Sequence, residues 1–218
     1  QFTGVVFNEM TGAMSAINAQ LWHAVGEALF PDTTYHFNSG GDPECIPDLS
    51  YDQLKAFYQT HYHPDNAVFI TYGDIDPIVH QQKFEALALQ RFKPINQHIE
   101  VPLQSSFAAP RRSEQTYQLA EGDDIEKSTH QLMAWVIGDI LDPADVMANH
   151  LLASILLENS ASPLQHALET TELGSSPSPL CGVDDSSRQL VFVCGLQGCT
   201  RNSTCLLYTS PSPRDLAV

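Results

Sequence analysis

Apolar residues enter the chain with a helical rhythm: Met10, Met14, Ile17, Leu21, Val25 and Ala28 recur at three- and four-residue steps, and Pro31 follows Phe30. That spacing predicts one amphipathic helix from Val5 to a proline stop. Next comes "PDTTYHFNSGGDPECIPD", whose Gly40-Gly41 pair and prolines at 31, 43 and 47 predict a loop, with a tight turn at the paired glycines. Ser50 and Gln53 then form a capping box for a helix in which Leu54, Phe57, Tyr58 and His61 share a face, ended by Pro64. "AVFITYG", residues 67–73, is too short for a helix and rich in β-branched and aromatic side chains, which predicts a buried strand. Asp76-Pro77 opens a further helix that carries Phe84, Leu87 and Phe92.

From about Lys93 to Glu114 prolines and polar residues, with Arg111-Arg112, read as a linker. A second α/β pattern follows. "THQLMAWVIG" predicts a strand, "DPADVMANHLLASILLEN" a helix opened by Asp-Pro, "SPLQHALETTELG" a helix capped by Ser162 and stopped by Gly174, and "QLVFVCGLQG" another strand. The two halves use similar parts without forming a short-period repeat. After Gly198 the periodicity ends, and "CLLYTSPSPRD" reads as translated adapter sequence, so residues 200–218 are set aside as a non-native tail.

Charge narrows the partners. The 218 residues carry 10 basic against 26 acidic side chains, a net of -16, which argues against nucleic acid and against an anionic membrane surface and leaves cationic partners open. A solubility role is the plainer account of the same charge. Hydrophobic residues make up 43%, enough for a real core. Cys45, Cys181, Cys194, Cys199 and Cys205 follow no C-x-x-C spacing, so reduced thiols are expected, with neither a disulfide framework nor a zinc ribbon. No apolar run reaches the roughly 20 residues of a membrane span, and Gln1-Phe2-Thr3 reads as the interior of a longer chain.

Candidate chemistry is sparse. Glu9 is a lone acid in "GVVFNEMTGAM"; on the apolar side of a helix it would need a cation, a backbone amide or a metal to offset its charge. The alternative is an acid near a helix start, favoured by the macrodipole. His61 and His63 read as helix termination and packing, and His150 as a satisfied histidine on an amphipathic helix. H-E-x-x-H, H-x-x-E-H, P-loop, G-x-S-x-G and G-x-G-x-x-G patterns are all absent, and "NSGGDP" lacks the lysine of a phosphate-binding loop. Physical reading alone reaches an acidic α/β protein of two similar units with one conspicuous carboxylate.

Longer blocks say more. "GVVFNEMTGAM", "ALFPDTTYHFNSGGDPECIPDLSYDQLKAFYQTHYHPDNAVFITYGDIDP" and "NSASPLQHALETTELGSSPSPLCGVDDSSRQLVFVCGLQG" together resemble the presequence-protease branch of the pitrilysin/insulinase superfamily, in a bacterial-like phrasing that runs from about Phe2 to about Gly198. The resemblance implies an α/β class built as an α+β sandwich: two incomplete pitrilysin-type units, each with helices packed on a mainly antiparallel sheet. It assigns residues 1–95 to the C-terminal part of the catalytic zinc-peptidase domain, 96–114 to a linker and 115–199 to the N-terminal part of the next pitrilysin-type domain.

In that family two histidines and a general-base glutamate come from an H-x-x-E-H helix, and the third zinc ligand is a distal glutamate in the context that "VVFNEM" reproduces. The resemblance therefore makes Glu9 the distal zinc ligand and Asn8, Met10 and Met14 neighbours that orient or pack it. It implies a metallopeptidase that degrades unstructured, basic peptides such as cleaved presequences in a closed chamber, in a bacterial cytoplasm or an organelle matrix, with the rest of its own chain as necessary partner. Lacking H-x-x-E-H, the chain alone is expected to hold no zinc and to be inactive. Two rivals stay open: a superfamily member without a zinc site that serves as a structural or assembly subunit, and a binding module complete at this length.

Overall fold

In the computed structural model, residues 4–95 and 99–201 are described. Gln1-Phe2-Thr3, a short stretch of the linker and most of the tail set aside from the sequence lie outside them. The described residues divide into two compact units, one of residues 43–95 and 99–101, the other of residues 4–42 and 102–201.

The larger unit is a mixed α/β body organised around one strand. β1 (Thr129–Asp139) and β4 (Gln189–Cys199) pair antiparallel along their length, Thr129 opposite Cys199 and Asp139 opposite Gln189. Along its other edge β4 takes two short antiparallel partners end to end, β2 (Ser176–Pro177) near its C-terminal end and β3 (Gly182–Asp184) near its middle. β4 is thus flanked on both sides and covered on both faces. Val191 and Val193 point to a cluster with Val25 and Phe30, against which Leu132, Ala134 and Val136 pack. Cys194, Leu196 and Cys199 join Leu168 on the opposite face, with Met133, Leu157 and Leu164 around them. Burial on both faces explains why "QLVFVCG" is apolar without alternation.

Helices form the outer layers of this unit. α1 (Val5–Ala13) and α2 (Ile17–Leu29) lie on the N-terminal segment, and Val25 of α2 enters the first cluster. α5 (Pro143–Leu157) and α6 (Pro163–Thr170) cover the other face, with Leu157, Leu164 and Leu168 in the second. Asp142 accepts from the N–H groups of Ala144 and Asp145, so the Asp-Pro pair opens α5 as its sequence predicts. Helices packed on an antiparallel sheet are the expected fold class.

In the smaller unit α3 (Tyr51–His61) begins with both bonds of the Ser50–Gln53 capping box, and α4 (Pro77–Leu87) begins with Asp76 accepting from Ile78. Phe69 meets Phe84 at 4.7 Å, His63 meets Phe92 edge-on at 5.1 Å, and Asp65 accepts from the Ile95 N–H at 2.7 Å.

Five expectations change. The single helix predicted from Val5 to Phe30 is two, because Ser15 turns back on Gly12 through its N–H (3.2 Å) and hydroxyl (2.6 Å) and Ala16 is extended. Residues 67–73 form no strand: Val68 and Ile70 are each 86% exposed, since no described segment of their unit offers a ladder to pair with. Phe92 lies beyond α4, after a 3-10 turn at Leu89–Arg91. α6 stops at Thr170, short of Gly174, where Thr171 becomes extended and its hydroxyl accepts from Leu173; Ser162 occupies the N-cap position without a side-chain cap bond.

Candidate functional site

α1 is nine residues long and has no side-chain cap. Its first turn holds no acid; Glu9 stands at its fifth position, exposed and outside the turn over which a macrodipole acts. The structure does not put this carboxylate on an apolar face. Asn8 beside it is also exposed, while Met10 is the one buried residue of the helix, at 9% exposure, and Met14 is half-buried. Both methionines meet the same loop. Asn38 Nδ2 donates to Met14 Sδ at 3.2 Å, and Gly40 lies so close to Met10 that a Cβ there would sit 2.2 Å from its Sδ. The loop is a turn: Gly41 N–H donates to Asn38 O at 3.0 Å, Gly40 N–H to Asn38 Oδ1 at 2.9 Å, and Gly41 adopts φ 95°, which glycine adopts without strain.

Ligand count bears on the metal. Among the described residues no group of three His, Cys, Asp or Glu side chains comes together. Glu9 offers one donor, and a catalytic zinc needs three protein ligands, so these residues do not make a zinc site by themselves. Four of the described histidines have partners elsewhere. His61 Nδ1 is 3.0 Å from Phe57 O and its ring stacks on Phe57; His63 Nδ1 accepts from Asp65 N–H at 3.1 Å; His150 meets Asp185 at 3.1 Å; His23 lies 3.5 Å from Glu27. Among the described residues no cysteine forms a disulfide: Cys45 is exposed, and Cys194 and Cys199 are buried.

Two features of the larger unit escaped sequence reading. Gln104, in the presumed linker, is buried: its side-chain oxygen accepts from Asp32 N–H (3.0 Å), its amide nitrogen donates to Asp32 Oδ2 (2.8 Å), and its own N–H donates to Gln189 Oε1 (2.6 Å). It ties residues 102–119 to the start of β4 and the end of α2. With α2 and β1 that segment walls a cleft of about 1600 Å³. His130 lines the cleft, edge-on to Tyr117 at 5.7 Å; its Nδ1 is buried without a partner among the described residues, and burial lowers its pKa below 6.5. A glutamine among serines and a histidine at a strand start carry no local signal for contacts so far along the chain.

Comparison with known proteins adds what the geometry lacks. A family model described as the peptidase M16 inactive domain matches residues 48–201. The chain is 38% identical over 204 residues to the mitochondrial presequence protease of Danio rerio, an alignment covering 93% of the chain and 20% of that protein. It is 37% identical over 202 residues to the same-named protein of Mus musculus (90% and 19%), and 32% identical over 192 residues to protein HypA of Clostridium perfringens (88% and 20%). The chain spans about a fifth of the length of these curated relatives.

Proposed function

The chain belongs to the peptidase M16 (pitrilysin) family, in its presequence-protease branch, and on that footing we propose that it is the stretch of a zinc metallopeptidase that carries the distal metal ligand, Glu9, and begins the non-catalytic domain that follows. Identity over 93% of the chain to a presequence protease supports this reading best. Glu9 supplies one carboxylate from the exposed face of α1; the resemblance assigns the remaining ligands and the general base to an H-x-x-E-H helix outside these residues. On this reading the chain alone is expected to hold no zinc and to cleave no peptide, because its sequence lacks the H-x-x-E-H histidines and general base.

The substrate class follows from the relatives' name and from charge. Targeting presequences are rich in Arg and poor in acids, and a net charge of -16 attracts them. The mitochondrial relatives and the clostridial one support an organelle matrix or a bacterial cytoplasm as the place of action. The rival is an assembly or structural subunit; the match of residues 48–201 to an inactive domain fits that reading as well as the first.

Bound zinc and turnover of a basic unstructured peptide, measured for the full-length protein and its Glu9→Gln variant, decide between them. Gln keeps the shape and removes the charge, so zinc affinity is expected to fall at least ~10–100-fold, the loss seen even for residues that only support a ligand, and turnover with it. A full-length protein without zinc or turnover favours the structural subunit. Full zinc and turnover in Glu9→Gln would show that Glu9 is not a ligand.

A further inference from the structure

We infer that the Asn38–Gly41 turn is the clamp that fixes the roll of α1, making Asn38 and Gly40 positioning residues for Glu9; the inference rests on the proposed ligand role of Glu9. A helix of nine residues with no side-chain cap has too little internal stability to hold its own direction, so its orientation comes from what it touches. Val5, Val6 and Glu9 are exposed; Phe7 is half-buried, and Met10 with the C-cap residue Met14, four residues apart on the same side, are the anchors whose partners lie on the turn. Both anchors end on the turn. Asn38 holds Met14 through Nδ2 and Gly40 through Oδ1, so one side chain couples the turn's shape to the helix. Gly40 provides the seat for Met10: a Cβ would meet its Sδ at 2.2 Å and its Cε at 2.9 Å.

Magnitude makes this matter. A carboxylate roughly 5–6 Å from a helix axis moves about 2 Å when the helix rolls by about 20°. Metal–ligand distances tolerate only about 0.2 Å. Gly40 lies outside the left-handed region, so an alanine there strains no backbone; its methyl displaces the Met10 thioether, and with it the only buried residue of α1.

The test uses the full-length protein with Gly40→Ala, Asn38→Ala, Gly40→Ala with Met10→Val, and Glu9→Gln. In the metal-free protein, hydrogen exchange of the Val5–Ala13 amides should quicken in Asn38→Ala and Gly40→Ala while β4 amides hold their protection. Zinc affinity, from chelator competition, should fall ~10–100-fold in both, as for residues that support a ligand, with KM and melting temperature little changed. Met10→Val removes the colliding sulfur and should restore zinc affinity to Gly40→Ala. Unchanged exchange in α1 would overturn the clamp whatever Glu9 does. Quickened exchange with unchanged zinc affinity, in a protein whose Glu9→Gln form loses zinc, would sever the turn from the ligand. Unchanged zinc in Glu9→Gln would overturn the ligand role and the positioning claim together, leaving the exchange result as a statement about α1 alone.

Discussion

Arg188 joins the two long strands where they end. Its guanidinium donates to Asp139 from Nε at 3.0 Å and Nη2 at 2.9 Å, its N–H donates to the Tyr35 hydroxyl, and its carbonyl accepts from Ile140. The Leu141 N–H, first, and the Arg188 side chain, second, hold the Asp139 carboxyl below its ordinary 3.8. A depressed folded-state pKa gives a contribution that is present above 3.8 and lost as pH falls through the lowered folded value. Asp139→Asn is therefore expected to lower the urea midpoint at pH 7 and to make the drop between pH 4 and the acid limit shallower; an unchanged acid profile would remove Asp139 from the account. Cys194 gives a second expectation at this scale. Burial, with Cys181 nearby, pushes its thiol up to about 12, and burial raises Cys181 and Cys199 as well. At pH 8 an alkylating agent should label exposed Cys45 first and spare Cys194 and Cys199 until denaturant is added, which peptide mass mapping checks. Among single residues, Glu9 draws notice in the sequence only through the long block that surrounds it, and its ligand role is the reading proposed above. Gln104 and His130 were not legible, because what defines them is a contact outside their local sequence, with Asp32 for Gln104 and with Tyr117 for His130.

The elements that were legible are those whose sequence contains their own boundary chemistry or their own burial. α3, α4 and α5 announce themselves through Ser50, Asp76 and Asp142, each of which caps as expected. β1 and β4 were legible as long apolar runs, and β4 goes further by packing on both faces. β2 and β3 are too short for any pattern and exist because β4 has a second edge to fill. The break between α1 and α2 hinges on Ser15, whose hydroxyl can serve a helix or end it, and periodicity weighs only the apolar positions. Gly195 belongs to this scale too. A Cβ there would lie 2.0 Å from Gln131 O and 2.8 Å from Leu132 Cδ2 in β1, so the strands approach as they do only because the side chain is absent. Gly195→Ala must push β1 away at the centre of the sheet; overpacking of this kind costs about 1–3 kcal/mol, read as a lower urea midpoint. A variant as stable as the parent would mean that the ladder has slack the contacts do not show.

Across the whole molecule apolar surface is unevenly spent. The larger unit encloses β4, whereas the smaller leaves Val68, Ile70 and Tyr72 in water along a stretch that reads as a strand and lacks a ladder. The sequence misled here for a physical reason: β-branched and aromatic content reports fitness for a sheet, while a sheet needs a neighbour. Such a stretch is an open template, and its backbone can pair with the same stretch of another copy. Against such pairing stands the net charge of -16, which makes copies repel. That protection has a range: it reaches about 30 Å at 0.01 M salt and only about 8 Å at 0.15 M. Colloidal behaviour is thereby tied to ionic strength and pH. Light scattering from the isolated chain should rise as salt is added or as pH approaches the pI of about 4.6, and Ile70→Lys, which puts a charge into the open template, should suppress the rise at salt concentrations where the parent already associates.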